Sequence, residues 1–115
     1  MNISISYKYV KAHQPVEEEV GRYTGKLSKL LKGYPSDAVH IHGVFARNLH
    51  NNEHSFSLNL KLPTGTLHAT GTGSGVRTSC KQAFRDLEEQ VKKHQARLRK
   101  DHEGKRRRRL VHQFA

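Results

Sequence analysis

The residues of this sequence that could do chemistry are mostly cations, and their spacing is helical. Arg22, Lys26 and Lys29 stand four and three residues apart, so on a helix they share one face. Arg77, Lys81 and Arg85 form a second row. Lys93, Arg97 and Lys100 form a third, with Lys92 and Arg99 on a neighbouring one, and Lys105, Arg106, Arg107, Arg108 and Arg109 follow as an unbroken run. Rows of this kind neutralise phosphates. Residues 76 to 110 hold 13 Lys or Arg against 5 Asp or Glu, which places a surplus of eight within the formal net charge of +11. A solvated helix face ordinarily mixes both signs, so the missing acids point to a polyanionic partner, nucleic acid first.

The other chemistry on offer is thinner. Nine histidines raise the question of a metal, and His40 and His42 on one strand could meet His68 across a sheet. Strand periodicity sets them opposite Val39 and Ile41, on a polar face where they need no ligand, so no metal is expected. Gly71-Thr72-Gly73-Ser74-Gly75 lies between a strand and a helix, the setting in which glycine loops cradle phosphate. The third glycine spacing of a dinucleotide fingerprint is missing and no Gly-Lys-Ser/Thr follows. The run reads as a flexible connector that interrupts the strand, with helix-start amides on an RNA phosphate as the alternative, and no cofactor is expected. Cys80 is the single cysteine, so neither an internal disulfide nor a cysteine-based zinc cluster can form and a reducing, cytoplasmic location is expected. The acids crowd exposed helix positions with no nucleophile, base and orienting acid among them, so no enzyme is expected.

The elements that must position these residues follow from hydrophobic periodicity. At 115 residues the chain can build one core. Ile3, Ile5, Tyr7 and Tyr9 alternate with polar residues as a half-buried strand does. Val16, Val20, Tyr23, Leu27, Leu30 and Leu31 recur at three and four, which predicts a helix from Pro15 to Lys32, with Glu17, Glu18 and Glu19 at its positive end and Gly33 to close it. Strands are predicted over 38–45, 54–62 and 66–70, the last two joined by a tight turn at Pro63-Thr64-Gly65. Val76, Cys80, Ala83, Phe84, Leu87, Val91 and Leu98 make one stripe, predicting a second helix from Val76 to about Glu103 whose last turns project beyond the sheet. The expected fold class is α+β in the order β-α-β-β-β-α, a four-stranded, antiparallel-rich sheet with both helices packed on one face and their cationic rows bordering a single groove. Residues 1–103 form the domain and 104–115 a basic tail expected to stay disordered until it meets a polyanion. No export signal or apolar stretch of membrane-spanning length is visible, so no membrane partner is expected.

The run Leu87-Glu-Glu-Gln90-Val91-Lys92-Lys93-His94-Gln-Ala-Arg97-Leu98-Arg99-Lys100, after a strand reading Leu67-His68-Ala69-Thr70, resembles the ribosome hibernation promoting factors and the related ribosome-associated inhibitor, or subunit-interface, proteins of bacteria. The likeness spans roughly residues 1 to 103. It implies a fold similar to double-stranded RNA-binding domains, and binding to 16S rRNA in the small-subunit decoding channel, where tRNA and mRNA would lie. It further implies translation inhibition and stabilised, inactive 70S ribosomes in starved or stationary-phase cells, a stress response without catalysis. Carried over by position, the RNA-facing cations would be Arg22, Lys26 and Lys29 on the first helix and Lys93, Arg97, Arg99 and Lys100 on the second.

The chain also departs from that pattern. Where the family tends to have Asp-Met-Tyr-Ala-Ala-Ile-Asp, this chain has Gly75-Val76-Arg77-Thr78-Ser79-Cys80-Lys81, exchanging two acids and an aromatic for a glycine and two cations. That shifts the basic centre toward the helix start. Nothing after residue 103 could fold into the dimerisation domain of the long members, so a short form is expected, monomeric off the ribosome. A generic double-stranded RNA or DNA-binding or transcription-modulating module is the competing expectation.

Overall fold

In the computed structural model the backbone is described for residues 1–11 and 13–114 and the side chains for residues 1–11 and 13–100. β1 (Asn2–Lys8) is followed by α1 (Gln14–Leu30), a 3-10 turn at Ser36–Ala38, β2 (His40–Arg47), β3 (His54–Leu62), β4 (Gly65–Gly73) and α2 (Val76–Phe114). The strands lie in the order β1-β2-β3-β4. β1 runs parallel to β2, since α1 carries the chain back across the sheet between them, while β2–β3 and β3–β4 are antiparallel. The α+β class and the element order therefore stand as expected. The expected division at residue 103 falls inside α2, where no side chain is described.

Alternation along the strands divides the sheet into two unlike faces. Ile41, Phe45, Phe56, Leu58, Leu60 and Ala69 are buried under the helices, and Ser4, His40, His42, Ser57, His68 and Thr70 are exposed on the other side. α1 contributes Val16, Val20 and Leu27 to the core, joined by Leu31 just past its end, and α2 contributes Cys80, Ala83, Phe84, Leu87 and Val91. Phe84 is the joint of the layers. Its ring stacks on Tyr23 of α1 at 5.3 Å and meets Phe56 of the sheet edge-on at 6.0 Å. Glu19 lies beside Arg77, Tyr23 beside Phe84 and the Leu30 carbonyl beside Gln95, so the two helices run side by side in the same direction.

The local details correct several boundaries. α1 ends at Leu30, with the Leu31 amide bonded back to Leu27 and Ser28, and Gly33 adopts no left-handed conformation to close it. β2 starts two residues later than expected and runs on to Arg47, where Asn48 side-chain and main-chain bonds fold the 48–53 loop. β4 is longer than expected at both ends, because the glycine run does not interrupt it. A Cβ on Gly71 would collide with the Ser79 carbonyl and the Ala83 amide, and one on Gly73 with the Thr78 methyl, so these glycines let α2 lie directly on β4. Only Ser74 and Gly75 connect the two elements. The buried Ser79 hydroxyl bonds back to the Gly75 and Val76 carbonyls, satisfying itself within the first turn of α2.

Candidate nucleic-acid interface

All eleven helix cations singled out in the sequence are exposed, but they do not border one groove. Gln95 fixes which flank of α2 faces α1, because its amide donates to the Leu30 carbonyl at 2.8 Å. Lys92, three residues before it, and Arg99, four after it, share that flank, as do Arg77, Lys81 and Arg85 along the row that starts at Glu19. On α1, Arg22, Lys26 and Lys29 continue from Glu19 along the side toward α2. The first face thus holds Arg22, Lys26, Lys29, Arg77, Lys81, Arg85, Lys92 and Arg99. Lys93 and Arg97 point elsewhere, lining a shallow hollow with Leu67, Gln90 and His94 beside β4, and Lys100 follows one turn on. The expectation of a single groove is corrected to two neighbouring cationic flanks of α2, one toward α1 and one toward β4. A helical repeat of 3.6 residues cannot bring rows offset by one residue, such as Lys92 and Lys93, to the same side.

Two features that the sequence reading missed shape this surface. Glu19, whose side chain is only 12% exposed, sets Oε1 3.6 Å from Arg77 Nε and 3.8 Å from Arg22 Nη1. Its other oxygen is buried without a partner. The carboxylate ties the two helices and draws two arginines away from solvent anions, whereas its place in an acidic first turn suggested only a response to the helix dipole. The second feature is a relay: the Tyr34 hydroxyl and His94 Nε2 both hydrogen-bond to the Thr64 hydroxyl at 2.8 Å, pinning the β3–β4 turn to α2. No sequence spacing announces contacts 30 residues apart.

The remaining candidates lie elsewhere. His40, His42 and His68 stand on the open sheet face; His42, Asn59 and His68 occupy one cross-strand row, with His68 Nδ1 bonded to Asn59, and Asn2 reaches His40 Nδ1 at 3.3 Å. Among the described residues no group of three or more His, Cys, Asp or Glu is placed to hold a metal. Cys80 is buried, and burial, helped by Glu19, pushes its thiol up to about 12. That leaves it protonated and inert as a nucleophile. No helix of the described residues is long and apolar enough to cross a membrane. Lys105, Arg106, Arg107, Arg108 and Arg109 lie on the last turns of α2, outside the described side chains.

A four-stranded sheet carrying two parallel helices, both with exposed cations, defines a small α+β domain. Residues 3–99 match the family model described as sigma 54 modulation protein / S30EA ribosomal protein, and the chain belongs to that family. The resemblance carried by the second helix is thereby borne out. A ribosomal subunit interface protein from Coxiella burnetii has a similar structure, with a TM-score of 0.65, 22% identity, and coverage of 84% of this chain and 99% of that one. The N-terminal domain of Protein Y from Thermus thermophilus is similar too, at 0.64 and 17% identity over 81% and 98%. At such identities these two likenesses speak for the fold. No curated protein matches the chain.

Proposed function

We propose that this chain is a ribosome hibernation factor that binds 16S rRNA of the small subunit in the decoding channel, in place of tRNA and mRNA, and keeps 70S ribosomes inactive in starved or stationary-phase cells. The observation that carries the reading is the pair of exposed cationic flanks on α2, the first continued across α1, in a member of the S30EA family. Phosphate contacts set affinity, and the spacing of the flanks sets shape selectivity. The role is occupancy, with no reaction catalysed, by a monomer in the cytoplasm. The arginine-rich end, Lys105 to Arg109, extends the contact.

Co-sedimentation with small subunits, large subunits and intact ribosomes tests this, with tRNA as competitor. Stoichiometric binding to small subunits that tRNA displaces is the expected result. Charge reversal at Lys81 and Arg85, or at Lys93 and Arg97, is expected to weaken that binding without lowering thermal stability, since all four side chains are exposed. Normal ribosome binding by both double variants would overturn the reading. Failure to sediment with ribosomes, together with tight binding to plain duplexes, would favour a general duplex-binding or transcription-modulating module, the reading that the sigma 54 part of the family description favours.

A further inference from the structure

At the end of the sheet where β1 and β2 finish and β3 begins, Tyr9, Val10, Lys11, Arg47, Leu49 and His54 line an open bowl of about 690 Å³. None of the eleven helix cations reaches it. Tyr9 is 71% exposed and Leu49 61%, the two most exposed large apolar or aromatic side chains among the described residues. Tyr9 also holds φ at 59°, a left-handed conformation in which a Cβ and an aromatic ring are a burden. A glycine or asparagine would relieve that strain, and a strained residue that exposes its ring is a reason to look for what the ring touches. Lys11 and Arg47 add two positive charges, and no acid lines the bowl. His54 closes one wall, its ring set against Phe45 at 5.7 Å.

We propose that this bowl binds a single unstacked nucleotide of an RNA strand, apart from the helix flanks. Its base stacks on Tyr9 over the Leu49 and Val10 floor, and its phosphate meets Lys11 and Arg47. An aromatic face flanked by cations recognises single strands because every base has a π face and every link a charge. A base paired within a duplex offers neither face to such a bowl.

The test is an amide-resolved NMR titration of the full chain with AMP, with adenosine and with inorganic phosphate. AMP is expected to shift the amides of Tyr9, Val10, Lys11 and Leu49, with adenosine weaker on the same set and phosphate confined to the helix flanks. Tyr9→Phe should keep AMP binding. Tyr9→Gly, at an equal or higher melting temperature, should weaken it about fivefold or more, as loss of one base–aromatic stack does. Arg47→Gln should weaken AMP while sparing adenosine. Phosphate reproducing the AMP pattern, AMP shifts confined to the flanks, or unchanged AMP binding by Tyr9→Gly would each overturn the proposal. No ribosome is present in this assay, so its failure leaves the small-subunit reading standing, and failure of that reading leaves this site standing.

Discussion

Glu19 decides how much of the arginine charge between the helices is left unpaired. Its carboxylate lies against both Arg22 and Arg77, so Glu19→Gln should release two arginines and tighten RNA binding. The slope of log affinity against log salt should steepen by about 0.9 for each phosphate newly neutralised if the duplex value holds, which a fluorescence titration over several salt concentrations would read. Cys80 makes a different statement about burial. Its thiol rises from 9.0 to about 12 on folding, chiefly by desolvation. A raised value favours the protonated form, so its stabilising contribution is whole below the unfolded value and is lost as pH climbs through the folded one. Urea denaturation from neutral to alkaline pH should therefore show the native chain losing stability more steeply than Cys80→Ala, and thiol reagents should react with Cys80 only on unfolding.

The contact between β4 and α2 depends on glycines that have no side chain to reveal a pattern. Gly71→Ala would drive a methyl group into backbone atoms of α2, and overpacking of that kind costs about 1–3 kcal/mol, toward the top where backbone must move. Chemical denaturation would measure it, and the same change at Gly25, which meets nothing within 4 Å, is the control. The elements themselves were legible wherever the pattern was strong: Phe56, Leu58, Leu60 and Leu62 alternate without a break, and Cys80, Ala83, Phe84, Leu87 and Val91 keep helical time. The glycine run was read as a break because composition alone cannot tell a loop from a strand kept bare for a helix to lie on. Likewise, the cationic rows could be counted along the sequence, but their division into two flanks depends on which side α1 occupies. That is settled by packing at Phe84 and Gln95. Tyr9 escaped notice as a distinct site because it simply extends the alternation of Ile3, Ile5 and Tyr7; only its turned backbone sets it apart.

At the scale of the whole molecule the net charge of +11 dominates behaviour in solution. With roughly 6 to 10 phosphates engaged, affinity for RNA should drop by about three to five decades between 50 and 200 mM salt, by analogy with duplex DNA. A filter-binding series would show this, and a flat response would mean that phosphates are not what the helices grip. The core anchors α2 only as far as Val91, and beyond it Leu98 is already 37% exposed. What extends past the sheet is a rod about 10–12 Å across, and its exposed Lys92, Lys93, Arg97, Arg99 and Lys100 leave it in more than one direction. Such a rod is a feeler gauge. On the proposed reading it holds best where anionic walls stand one rod-width apart, and any rearrangement that spreads those walls surrenders the grip of one flank at once.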